Sequence, residues 1–81
     1  MKASDWISVK DKLPELYCDM GFIKFSREVL LCLYNNEVLT AILVYSKNDN
    51  ITYWCASRGG SYALEEATHW QPIVLPKKEK L

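Results

Sequence analysis

One histidine, three glycines, three prolines and three cysteines are all that this 81-residue chain holds of the residues that most often mark catalysis, tight turns or crosslinks. With His69 alone, any general-base or metal scheme must be built around a single imidazole. Cys18, Cys32 and Cys55 form an odd set without CxxC spacing. That excludes a fully paired disulfide framework and reads as reduced thiols in a cytoplasm. A structural zinc takes four ligands, usually in two close pairs, and no close pair exists here. No apolar run reaches the roughly 18–20 residues that span a membrane, so no membrane partner is expected. Residues 1–5 are not followed by the apolar core of a signal peptide. Net charge is missing too. Ten basic and ten acidic residues cancel, which speaks against a general nucleic-acid binder, whose affinity rests on phosphate neutralisation. The one basic cluster, Lys77, Lys78 and Lys80, reads as a solvated end.

What is present is strand-forming. Apolar residues make up 49% of the chain and charged ones 25%, the balance of a folded protein. The reading is one small domain, 1–81, with 76–81 as a charged tail. Residues 27–34 and 37–46 are rich in Val, Leu and Ile and are broken by Asn35-Asn36, a fair two-residue turn because Asn tolerates positive φ. That turn predicts Leu33 opposite Val38, Leu31 opposite Thr40 and Val29 opposite Ile42. Cys32 with Leu39, Leu30 with Ala41 and Glu28 with Leu43 then share the other face. Both faces are apolar, which predicts a hairpin covered on both sides. Residues 51–57 read as a third strand, and 6–9 and 67–74 as strands pairing at the edges. A tight turn or one 3-10 turn is expected at 13–17, around Pro14, and a short helical turn at 62–66, capped by Ser61. The Phe22–Phe25 loop is expected to lid one face. The fold class is therefore mainly β, with α+β as the alternative. It is a small antiparallel meander of four to five strands with one or two short helical turns.

Trp6 and Trp70 are expected in the core. Tyr53 and Trp54 are consecutive, so one ring must face the far side of the sheet, where it could serve recognition. Arg58-Gly59-Gly60-Ser61-Tyr62 is the strongest binding candidate. Two glycines can turn backbone N–H groups toward an anion, Arg58 can grip a phosphate, and Tyr62 can stack on a base. Glu65 and Glu66 could meet a basic partner. His69 shares a face with Gln71 and completes the candidate set. No catalytic or metal constellation is visible, and no cofactor is expected. The hairpin's second face, with Leu30, Cys32, Leu39 and Leu43, lacks enough covering chain and points to a homodimer.

Read together, the two ends carry a pattern. Trp6-Ile7-Ser8-Val9 leads through Leu13-Pro14, Val29-Leu30-Leu31 follows, and Thr68-His69-Trp70-Gln71-Pro72 closes. This W-I-x-V-x-x-x-L-P … T-H-W-x-P arrangement resembles domain of unknown function 551. The departures are a longer segment between Leu16 and Arg27 and Gln71 in place of a common methionine. The resemblance implies a small phage- or prophage-encoded accessory protein acting inside a bacterial cell. Its implied role is non-catalytic: binding and inhibiting a host protein, such as a defence component, in the manner of an anti-CRISPR. The alternative is a small-ligand binder that sequesters a nucleotide through the Arg58-Gly59-Gly60 loop.

Overall fold

The longest strand organises everything else. In the computed structural model, which describes residues 6–73, strands run in the order β1 (Ile7–Ser8), β2 (Cys18–Asp19), β3 (Ile23–Phe25), β4 (Val29–Leu33), β5 (Val38–Ser46), β6 (Ile51–Ala56), β7 (Ser61–Ala63) and β8 (Ala67–Pro72). They form one antiparallel sheet of eight strands. β5 is nine residues long and has three neighbours. Its first half pairs with β4 and its second half with β3, while β6 lies along its other side. β8 sits between β4 and β1, so Pro72 falls at a strand end, where its missing N–H does no harm. None of the helices among these residues is long and apolar enough to cross a membrane.

The mainly β reading holds, and three short strands join the expected ones. The 18–26 segment is no lid. It folds as the β2–β3 hairpin and widens the sheet, with Phe22 exposed at its tip. Residues 12–17 run without regular structure; the turn comes earlier, where the amides of Asp11 and Lys12 both donate to the Ser8 carbonyl. The later turn is a single 3-10 turn, Leu64–Glu66, and Ser61 begins β7 instead of capping it. The tail beyond residue 73, with Lys77, Lys78 and Lys80, lies outside the described residues.

The hairpin register is one residue away from the expected one. Leu31 pairs with Leu39 and Val29 with Ala41. The cause is the turn. Leu33 closes onto Glu37 (2.9 Å), the Asn36 amide donates to the Leu33 carbonyl (2.9 Å) and only Asn36 takes positive φ, 71°. This is a type I turn followed by a left-handed residue, a three-residue loop in place of the two-residue one. A one-residue slip flips every side chain of the partner strand. Leu39 and Leu43 therefore join Val29, Leu31 and Leu33 on one face.

A second irregularity sits between β3 and β4, where both strands share the same edge of β5. Phe25 pairs with Val44 but Val29 with Ala41, so β3–β4 carries one extra residue. Ser26 fills the gap and is buried (1% exposed). Its amide donates to the Leu43 carbonyl (2.9 Å), and its hydroxyl accepts from the Leu43 amide (2.9 Å) while donating to the Arg27 carbonyl (2.8 Å). A side-chain oxygen thus stands where a ladder carbonyl would be.

The sheet must curl. From Ala63 on β7 the chain reaches Ala67 on β8 in four residues, about 13 Å at full stretch. Four strand spacings in a flat sheet would be about 19 Å. Curling encloses Val29, Leu31, Leu33, Ala41, Leu43, Trp54, Ala67 and Trp70. Segment 9–16 and the 3-10 turn close over them through Val9, Leu13, Leu16 and Leu64. Each of two buried indoles ties down one covering segment: Trp70 donates to the Lys12 carbonyl (2.8 Å) and Trp54 to the Leu64 carbonyl (3.3 Å). Trp70 is in the core as expected. Trp6 is only half-buried and lies outside the cluster; Trp54 takes the place assigned to it.

The opposite face is not covered among the described residues, which corrects the doubly covered hairpin. On it stand Leu30 and Cys32 of β4, Ile42 and Val44 of β5, and Tyr53 and Cys55 of β6, as the registers require. Most are half-buried; Val44 is shielded between cross-strand Phe25 and Tyr53.

Candidate functional site

β6 leaves β5 before β5 begins. The last ladder pair is Ala41 with Ala56, after which the Ser57 amide donates to the Thr40 carbonyl (2.9 Å) and the chain turns away at Arg58. The Leu33–Glu37 bond fixes the alternation of the β4–β5 ladder, so the backbone groups of Leu39 face β4 and those of Val38 and Thr40 face the other way. The result is a notch of about 430 Å³ at the end of the hairpin. Glu37, Val38, Leu39 and Thr40 form one wall, and Arg58, Gly59 and Tyr62 the other. The N–H and C=O of Val38 point into it without a strand partner among the described residues.

Both glycines of the turn need their identity: φ is 109° at Gly59 and 88° at Gly60, a region that side chains strain to adopt. The expected anion cradle is not formed. The Gly59 amide donates to the Ala56 carbonyl (3.0 Å), and the Gly60 carbonyl accepts from the Ala56 amide (3.0 Å). The turn spends these groups on itself and leaves Arg58 as the free cation. Its side chain is exposed and makes no ion pair or hydrogen bond among the described residues.

The other sequence-derived candidates scatter. Tyr62 does not sit on the loop. It lies on β7 opposite Trp54 and is packed against the core, so only part of its ring reaches the notch. Trp54 is fully buried (0% exposed) and offers no surface; Tyr53 is the half-exposed ring of the pair. Tyr53 and Gly60 line a shallower neighbouring depression with Ile51 and Cys55. Glu66 reaches back to accept from the Ala63 amide (2.9 Å), a local structural task, while Glu65 is exposed. His69 lies on β8, with β4, β5 and β6 between it and the Arg58 turn, so these two do not form one site. It stands opposite Cys32, yet its Nδ1 meets the Thr68 hydroxyl (3.0 Å) and the Cys32 thiol faces the Leu33 carbonyl. The three thiols are free and half-buried. Among the described residues, no group of three or more His, Cys, Asp or Glu side chains is placed to hold a metal ion.

Sequence reasoning missed the Glu37–Thr40 wall, because only the pairing of β5 with β6 brings it beside Arg58. It also missed a second groove, of about 370 Å³, between segment 12–17 and Arg27–Val29. There the Arg27 guanidinium lies 4.3 Å from the centre of the Tyr17 ring, which meets Phe25 edge-on at 6.4 Å. No local motif marks that contact.

Fold and notch together define a small antiparallel β domain whose central strand keeps part of one edge open. The chain belongs to the family described as Protein of unknown function (DUF551), whose model matches residues 5–77, the family anticipated from its two ends. No curated protein and no solved structure matches it.

Proposed function

We propose that this is a non-catalytic accessory protein that binds a host protein and blocks it, with the notch as its recognition site. One observation carries the reading: the backbone of Val38 faces an open notch flanked by Glu37 and Arg58. An extended segment of a partner enters beside Val38 and pairs with its N–H and C=O as a short added strand. Main-chain hydrogen bonds give it affinity and the two flanking charges give it polarity. Arg is among the side chains that dominate such contacts, and Arg58 has no competing partner among the described residues. The phage-type role as a counter-defence inhibitor follows from the family resemblance, as an association of class.

The test is capture of bacterial proteins on immobilised protein, comparing wild type with Arg58→Glu and with His69→Ala as a distant control. A partner held by wild type and by His69→Ala but lost with Arg58→Glu supports the notch. Equal retention by Arg58→Glu removes it.

A second reading draws on the size of the same notch, which falls within the range of small-molecule sites. Arg58 and the edge of Tyr62 could hold a nucleotide there. The closed glycine turn weakens this reading, since Gly59 has no amide to offer. A rise in melting temperature against a nucleotide panel, lost in Arg58→Ala, would favour it over the first.

A further inference from the structure

The notch is closed at one end. β6 fills the lane beside β5 as far as Ser57, whose amide meets the Thr40 carbonyl, and the turn closed by Gly59 on Ala56 ends it there. The β4–β5 hairpin runs on past that point, through Leu39, Val38 and Glu37 to its own tip. A strand entering the lane from the Glu37 end therefore stops opposite Leu39, because Ser57 already holds the next position. At about 3.3 Å per residue, only a short stretch pairs before its chain must end or leave the sheet. Three backbone groups face this lane in order: the N–H and C=O of Val38 and the N–H of Thr40. The Thr40 carbonyl takes the Ser57 amide (2.9 Å), but its own N–H has no partner among the described residues. Arg58 follows Ser57 and lines the notch at this closed end, while Glu37 lines it at the open one.

We infer that the segment held here is the free C-terminus of a partner protein, laid parallel to β5 with its carboxylate at the Arg58 end. This rests on the notch being the recognition site. In a parallel pair, the N–H and C=O of one residue bond to the neighbours of the residue opposite it. With the penultimate residue of the tail opposite Val38, the Val38 N–H donates to the carbonyl of the residue before it. The Val38 C=O accepts the amide of the last residue. The terminal carboxylate then falls to the unpartnered Thr40 N–H, with Arg58 at hand for a charge-assisted pair. A chain end satisfies the closed lane without a bend, which an internal segment cannot do. The reverse direction would set an ammonium group against Arg58. Glu37 stands opposite the antepenultimate residue of the tail, so Lys or Arg is favoured there. The other nearby acid, Glu28, bonds to the Ser57 hydroxyl across the outer face of β5 and braces the turn.

The test is a library of labelled hexapeptides, each made once with a free C-terminal carboxylate and once as the amide, screened against the whole protein. Binders are expected among the free acids, with Lys or Arg enriched at the antepenultimate position. Amidation and Arg58→Gln should each weaken them about tenfold or more. Val38→Pro deletes the N–H that faces the lane and leaves the bonds to β4 intact, so it should lose the peptides with an unchanged far-ultraviolet spectrum. Glu37→Gln should lose the basic preference and keep the need for a carboxylate. Peptides held equally as acid and amide overturn the inference; if Arg58→Gln or Val38→Pro still weakens them, the notch stands as a site for an internal strand. A library without binders, or binders indifferent to both variants, also overturns it. Capture of a bacterial protein by wild type, lost with Arg58→Glu, would then uphold the notch without the chain end.

Discussion

Leu30 and Leu31 are neighbours on β4 and differ in everything that follows. Leu31 is wholly shielded (0% exposed) among Leu33, Leu43, Trp54 and Trp70, on the face that segment 9–16 and the 3-10 turn close over. Leu30 is half-buried on the face that no described segment reaches. Both faces are written in the same apolar alphabet, so hydrophobicity alone does not say which will be the core. The distinction comes from what can cover each. Trp54 and Trp70 supply one face with both apolar bulk and an N–H that anchors a covering carbonyl. The other has no such anchored cover among the described residues, and only the Glu28 carboxylate reaches across it, to the Ser57 hydroxyl.

That difference can be broken most directly at the tryptophans. Trp54→Ala removes the largest fully buried side chain and the anchor of the 3-10 turn. The expected loss is about 3–5 kcal/mol, enough to unfold much of a domain this small in urea titrations. Trp70→Ala should behave alike; a folded Trp70→Ala protein that had lost only a partner would place that ring at the surface. The sharper contrast is the neighbouring pair. Leu31→Ala should cost about 2–5 kcal/mol, whereas Leu30→Ala should cost under about 1 kcal/mol. Equal losses would mean that the second face is covered after all. Ser26→Ala comes next. It leaves the Leu43 amide buried without an acceptor, at about 1–3 kcal/mol, and hydrogen exchange at Leu43 should accelerate more than at Leu31. The smallest effect is expected at the hairpin tip, where Asn36→Ala strains a left-handed residue by about 1 kcal/mol and Asn36→Gly is close to neutral.

Much of the sheet was legible because strands announce themselves by composition. The runs at 27–34, 37–46 and 51–57 became β4, β5 and β6, shortened by one to three residues. Register was not legible. Asn35-Asn36 is compatible with loops of two or three residues, and that choice decides the side on which Leu39 and Leu43 stand. Ser26 gave no signal at all, since a hydroxyl that replaces a ladder carbonyl looks like any other serine in a sequence. At the site, Arg58, Gly59 and Tyr62 were legible together because they are close in sequence, although the burial of Tyr62 and of Trp54 was not. Their opposite wall came from twenty residues earlier and needed the fold. Glu65, Glu66 and His69 drew notice as chemistry-bearing residues, yet the fold places them apart from the Arg58 turn.

The pairing of β1 with β8 bears on how the chain reaches this structure. Ile7 meets Trp70, and the Trp70 indole bonds to Lys12, 58 residues away in sequence. Contacts between distant parts of a chain are slow to form, because loop closure must precede any gain from them. On a ribosome adding about 5–20 residues per second, segment 7–16 is made seconds before its cover site on Trp70 exists. Until then the apolar residues of β4 and β5 wait with neither face closed, open to whatever other sticky chains the cell contains. A variant truncated before β8 should therefore aggregate and not merely lose stability, and a brief chaperone requirement during synthesis follows from the topology of the sheet alone.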